Sequence, residues 1–173
     1  MIKVTLTDGS TRNYNDPISV IDIAKDISEG FARNVISAKF NNKTVETSTI
    51  IKSDGNLTMY TWKDQNGKKA FWHSTSHVLA QALEQLYPGI KLTIGPAIEN
   101  GFYYDVDLEE NIISEKDFQS IENRMLEIAR EKHDFNMRFV SKSDALKKYK
   151  NEGNQYKLEL IENLSDGEIT FCD

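Results

Sequence analysis

The sequence predicts an α+β chain of two units, residues 1–62 and 71–173, with a linker over 63–70. Three observations predict it. Short β-rich runs stand between Asp-Gly, Asn-Asn and Asp-Gly-Asn turn signals. Separate runs repeat apolar residues at helical spacing behind Ser caps. A polar, Gly-containing stretch, Lys63-Asp64-Gln65-Asn66-Gly67-Lys68-Lys69-Ala70, divides the two sets.

In the first unit Met1–Leu6 reads as a strand, Thr7-Asp8-Gly9-Ser10 as a hairpin turn and Thr11–Tyr14 as the returning strand. Asp16-Pro17 ends it. Ser19, with Asp22 three residues on, caps a helix whose apolar face is Val20, Ile21, Ile23, Ala24 and Ile27. Gly30 is placed to stop that helix. Val35–Phe40, an Asn41-Asn42 turn, Lys43–Glu46, an Asp54-Gly55-Asn56 turn and Leu57–Thr61 complete the unit. A hairpin, a helix and then further strands form a β-grasp, or ubiquitin-like, order. A sheet covered by one helix is among the few ways so short a segment can make a core.

The second unit opens with Phe71 and Trp72, whose plainer role is to staple a helix start. A helix is expected over Ser74–Leu86, stopped by Pro88-Gly89. Strands are expected over Ile90–Ile94 and Phe102–Val106. Ser114 and Asp117 form a second capping signal, and Phe118, Ile121, Met125, Ile128 and Ala129 mark a packing helix. Asn136–Val140 reads as a strand. Ser141 caps a helix from Asp144 to Lys150. Lys157–Ile161 and Glu168–Cys172 read as closing strands.

Charge is uneven. The chain carries −6 overall, with residues 1–62 neutral and all the excess acid in 63–173. That is not the footprint of an autonomous nucleic-acid binder, so RNA contact would rest on local clusters such as Lys68-Lys69 or Lys147-Lys148-Tyr149-Lys150. The single cysteine, Cys172, excludes an internal disulfide framework. No run approaches the roughly 18 apolar residues of a membrane span, and no basic-then-apolar leader opens the sequence. A cytoplasmic location, with no membrane partner, is the expectation.

The chemistry concentrates at His73-Ser-Thr-Ser-His77, which holds two of the three histidines. Spaced i, i+4 on a helix, the imidazoles share one face with Ala80 and Glu84, while Val78, Leu79, Ala82, Leu83 and Leu86 form the apolar side. Two solvated surface histidines are the plainer alternative. Two ligands are too few for a zinc site, and Ser74 stands where the zincin pattern needs Glu. No metal is expected. General acid/base work near pH 7 is the other option.

His73-x-x-x-His77, continuing Val-Leu-Ala-Gln-Ala-Leu, precedes Gly95-Pro96-Ala97-Ile98-Glu99-Asn100-Gly101-Phe102-Tyr103-Tyr104-Asp105. This combination resembles the editing domain of threonyl-tRNA synthetases, a fold of the tRNA second-additional-domain type. The first 60 residues resemble the TGS domain that precedes it. The resemblance implies a ligase that joins threonine to tRNA(Thr) with ATP, and an editing domain that hydrolyses serine wrongly esterified to that tRNA. It implies His73 and His77 as the histidine pair, His73 for water activation or contact with the terminal ribose and His77 in support. It also implies Lys157 as a pocket cation and Tyr104 as part of the pocket wall; the plainer alternatives are a solvated lysine and core packing.

In that family a later Cys-x-x-x-His motif completes the editing site. This sequence stops at Asp173, so the editing domain is expected to be truncated at its C-terminus and the chain to be part of a longer enzyme. The resemblance places ATP, Mg and Zn, and the homodimer contact, in a catalytic core outside these residues. No cofactor is expected within them. The implied partners are tRNA(Thr) and the serine or threonine esterified to it. A non-catalytic TGS-containing module that binds RNA or protein is the alternative function.

Overall fold

The structure is a computed structural model and describes residues 1–133 and 137–172. It divides into two compact units, Met1–Ser74 with Ala97–Glu99, and Thr75–Pro96 with Asn100–Asp173.

The first unit is built on a five-stranded sheet. Strands β1 (Ile2–Leu6) and β2 (Thr11–Tyr14) form a hairpin, with Ile2 opposite Tyr14. The short β3 (Ile18–Ser19) leads into helix α1 (Val20–Ile27). A second short helix, α2 (Glu29–Ala32), precedes β4 (Val35–Phe40) and β5 (Lys43–Val45). Strand β6 (Ile50–Ile51) pairs with β3, and β7 (Gly55–Thr61) completes the main sheet. The order is β2-β1-β7-β4-β5. Within this sheet β1 and β7 pair in parallel, which the long crossover between them allows, and the other neighbours pair antiparallel.

Val4, Val20, Ile23, Ala38, Ile51 and Leu57 fill the space between sheet and helix. Full burial of Val, Ile or Leu stabilises by roughly 1.5–3 kcal/mol per side chain. Ser19 caps α1 as expected, its hydroxyl accepting from the Asp22 N–H at 3.1 Å. Gly30 does not stop α1. The helix ends at Ser28, whose hydroxyl then caps α2 by accepting from the Phe31 N–H at 3.0 Å, and Gly30 lies inside that second helix. The Asn41-Asn42 turn is present, with both residues at positive φ, as a two-residue hairpin requires.

Residues 65–70 are not a linker but the first turns of helix α3 (Gln65–Leu86), which starts nine residues before the expected Ser74. Asp64 makes the turn into it: its carboxylate accepts from the Thr61 N–H at 2.8 Å and from the Thr61 hydroxyl at 3.0 Å. Gly67 reads as a breaker in sequence, yet it sits where a Cβ would lie 2.0 Å from the Thr61 carbonyl oxygen. Only glycine lets the helix begin so close to β7.

In the second unit α3 is followed by β8 (Lys91–Leu92), shorter than the expected Ile90–Ile94. The short β9 (Ala97–Ile98) falls in the segment assigned to the first unit; β10 (Gly101–Phe102) and β11 (Val106–Asp107) follow in the second, so Phe102–Val106 is not one strand. Strands β8 and β11 pair as a ribbon, Leu92 opposite Val106 and Lys91 opposite Asp107. Beyond the ladder the Thr93 N–H donates to Asp105 O at 3.0 Å and the Asp105 N–H donates to Ile94 O at 2.8 Å, which extends it. The Ser114–Asp117 capping box opens a 3₁₀ turn and helix α4 (Phe118–Glu131).

Strand β12 (Met137–Phe139) pairs with β13 (Thr170–Cys172), so the final strand begins two residues after the expected Glu168. Asn136, the expected start of the former, lies outside the described residues. Between them run α5 (Lys142–Asn151), capped by Ser141, and α6 (Gln155–Glu162). Lys157–Ile161 is therefore helix, not strand. Gly153, at φ +67°, ends α5, and the Asn154 side chain caps α6 by accepting from the Lys157 N–H. Two apolar clusters support this unit. One joins Leu83, Ile90 and Ile121; the other joins Val140, Ala145, Ile161 and Ile169. Among the described residues no helix is long and apolar enough to cross a membrane.

Candidate active site

The second unit holds an open cleft of about 1280 Å³. Helix α3 supplies His77, Ala80 and Glu84 to one wall, the face the histidine spacing marks in sequence. Leu92 of β8 and Tyr104 contribute next. Lys148 and Tyr149 of α5, the α6 cap Asn154, Lys157 of α6 and Phe171 of β13 complete the lining. The expected residues His77, Tyr104 and Lys157, from three separate stretches of sequence, thus line one cavity. His73 is exposed on α3, falls in the first unit, and is not among the residues lining it.

Tyr104 is held by a close approach. A Cβ on Gly95 would lie 2.2 Å from Tyr104 Cδ2 and 2.3 Å from Cε2, so the ring lies on a bare backbone. The ribbon bonds of Asp105 fix the neighbouring main chain. The Gly95…Tyr104 signature therefore has a physical basis: the glycine makes room and the tyrosine fills it. Burial, and then the Glu84 carboxylate, push the Tyr104 hydroxyl above its ordinary value.

Lys157 is half-buried, and burial lowers its pKa from the ordinary lysine value, against the Glu84 carboxylate, which raises it. Glu84 still presents much of its surface to solvent, but the surrounding protein strips enough water from its carboxyl to raise its pKa. Glu152 adds to that, and Lys148 and Lys157 oppose it. Tyr149 is pushed up to about 12, first by burial and then by Glu152, Tyr104 and Glu84. Lys148 sits over the Phe171 ring at 4.8 Å and within 3.9 Å of Glu152. The cleft thus combines two imidazoles, His77 and His133, with a desolvated ammonium, two phenols and two carboxylates. That set can move a proton and hold a developing negative charge.

Two groups escaped the sequence reading. Asn154 is buried and ties α6 to β8; its only sequence signal is a cap-forming residue after a glycine. Tyr156 donates its hydroxyl proton to Asp107 at 2.7 Å, a contact spanning 49 residues that no local pattern announces. Among the described residues no group of three or more His, Cys, Asp or Glu is arranged to hold a metal ion.

Residues 2–61 match the model of the TGS domain. Over all 173 residues the chain is 66% identical to a threonine-tRNA ligase of Flavobacterium johnsoniae and 62% identical to one of Flavobacterium psychrophilum, in each case 100% of this chain and 26% of the relative. A threonine-tRNA ligase of Cytophaga hutchinsonii is 50% identical over 171 residues, 99% of this chain and 26% of its own length. The chain spans about a quarter of the length of the curated relatives it matches. The similarity to these threonine-tRNA ligases thus runs from end to end of the chain, and within it residues 2–61 match the TGS domain.

Proposed function

We propose that this chain is the N-terminal region of a ligase that joins threonine to tRNA(Thr) at the expense of ATP, and that its second unit serves the hydrolysis of serine wrongly attached to that tRNA. One observation carries the editing part: His77, Tyr104 and Lys157 line a single cleft beside an α3 face that the His-x-x-x-His spacing marks. The sheet order β2-β1-β7-β4-β5, with its parallel β1–β7 pair and helix α1, supports the β-grasp reading of the first unit. The second unit is read as the editing domain. The relatives named above support the ligase over a non-catalytic RNA- or protein-binding module.

The need for a second hydrolytic site is energetic. Serine lacks one methyl group of threonine, and such a difference is worth only about 1–3 kcal/mol in a pocket. Hydrolysis takes a proton from water, adds hydroxide to the ester carbonyl and returns a proton to the departing ribose oxygen. In this reading His73 activates the water or contacts the terminal ribose, and His77, on the same helical face, supports it. Lys157 holds the charge that develops on the carbonyl oxygen, where a desolvated cation acts most strongly. Tyr104 forms the wall. ATP, Mg and Zn, and the contact of a homodimer, belong to a catalytic core elsewhere in the ligase, which acts in the cytoplasm.

The test is serine release from Ser-tRNA(Thr), with Thr-tRNA(Thr) as control. It compares this chain, a version extended through the segment expected to carry Cys-x-x-x-His, and the extended version with His73→Ala. Hydrolysis by the extended version, selective for serine and lost with His73→Ala, is the expected result. Equal treatment of the two esters by every version would remove the editing assignment and favour the binding module.

A further inference from the structure

The side chain of Asn154 is buried at 8% exposure on the wall of the cleft. Its Oδ1 accepts from the Lys157 N–H at 3.1 Å, and its Nδ2 donates to the Leu92 carbonyl oxygen at 3.0 Å. Its own N–H donates to the Tyr149 carbonyl oxygen at 3.0 Å. One residue therefore joins α5, α6 and β8. A helix cap needs only the acceptor, which Ser, Thr or Asp would supply as well. The bond to Leu92 needs a donor, and among short cap-forming side chains the Asn amide provides both.

The second tether falls one residue before Lys157. Tyr156 donates to Asp107, and Asp107 stands opposite Lys91 in the ladder of β11 and β8. Both tethers thus land on the same ribbon, at adjacent rungs. That ribbon also fixes Tyr104, through the bonds of Asp105 to Thr93 and Ile94. Lys157 has a four-carbon stem with many rotamers, so its ammonium is placed only as well as its backbone is. The ribbon is the common reference from which Lys157 and Tyr104 both enter the cleft.

We propose that Asn154 is a positioning residue: by tying the first turn of α6 to the Leu92 carbonyl it sets the distance between the Lys157 ammonium and the Tyr104 wall. The proposal rests on the reading of Lys157 as the pocket cation in serine-ester hydrolysis. Asn154 touches no substrate in this account and acts through Lys157.

The test separates the cap from the tie. Asn154→Ser keeps a capping oxygen and cannot reach Leu92; Asn154→Ala keeps neither. In the extended protein, Asn154→Ser is expected to unfold close to the parent temperature while its kcat for serine release falls about 10²-fold, the order expected from a misplacement of about 1 Å. KM should change little, and Lys157→Ala should fall at least as far. In parallel, the Lys157 side-chain NMR resonance should move in Asn154→Ser, while that of Lys39, in the first unit, stays put. If kcat follows unfolding temperature across the two Asn154 variants, or the Lys157 resonance is unmoved, Asn154 is structural only and the proposal is overturned. If the parent or Lys157→Ala shows that Lys157 has no part in hydrolysis, the functional reading fails instead. The resonance then still decides whether Asn154 places Lys157.

Discussion

Gly95→Ala should loosen the cleft through Tyr104 alone. The backbone of Gly95 lies outside the left-handed region, so alanine is conformationally acceptable there. The cost is steric. The added methyl would sit 2.2 Å from Tyr104 Cδ2, whereas carbon atoms rest at about 3.5–4.0 Å, so the ring must retreat by more than about 1 Å. Overpacking of this kind costs about 1–3 kcal/mol. With a urea slope of about 2 kcal/mol per molar, the unfolding midpoint falls by roughly 0.5–1.5 M. The assay is urea unfolding followed by helical circular dichroism, run as a double-mutant cycle with Tyr104→Ala. Once the ring is gone, Gly95→Ala should cost no more than about 0.5 kcal/mol, as at an ordinary surface site. If the two single costs simply add, the ring and the glycine are not coupled, and the account of this signature is wrong.

Gly67→Ala inverts the usual rule: alanine is favoured over glycine inside a helix by about 1 kcal/mol, but here the methyl meets the rigid Thr61 main chain at 2.0 Å, so a net loss of thermal stability is expected. A gain would show that α3 does not start against β7. Tyr14→Phe bears on alkaline pH. The Tyr14 hydroxyl donates to Asp26 at 3.0 Å, and burial, with that carboxylate, raises its pKa to about 12 in the folded protein against about 10 unfolded. A raised pKa stabilises fully below pH 10 and the contribution is lost as pH climbs towards 12. The parent should therefore lose stability across that window more steeply than the phenylalanine variant, in thermal melts of the two proteins; parallel curves would show that the fold does not hold the Tyr14 hydroxyl protonated.

Much of the first unit was legible because its signals are local. Ser19, Asp22 and the apolar face of α1 lie within nine residues, and the hairpins carry their own turn dipeptides. The histidine face of α3 was legible for the same reason. What failed was decided by distant atoms. Gly67 and the polar residues around it look like a linker, and only the nearness of Thr61 explains a glycine within a helix. The alternation in Lys157-Leu-Glu-Leu-Ile161 spans too few residues to separate a strand from a helix, and the bond of Asn154 to Leu92, 62 residues away, holds this segment's first turn in place. The meeting of His77, Tyr104 and Lys157 was available only through resemblance, since nothing local joins three such separated stretches.

The two apolar clusters of the second unit carry a consequence for its motions. The Leu83–Ile90–Ile121 cluster and the Val140–Ala145–Ile161–Ile169 cluster share no member, and the tethers between their elements described above, Asn154 to Leu92 and Tyr156 to Asp107, are polar. A hydrogen bond contributes only about 0.5–1.5 kcal/mol net, far less than dismantling an apolar cluster. Each tether also closes a loop of some 50 to 60 residues, whose entropy opposes it. The wall bearing Lys157 is therefore expected to be a separate cooperative unit of exchange: its amides should open to solvent deuterium ahead of those in α3 and α4, and breathing along this polar seam would widen the cleft between its walls.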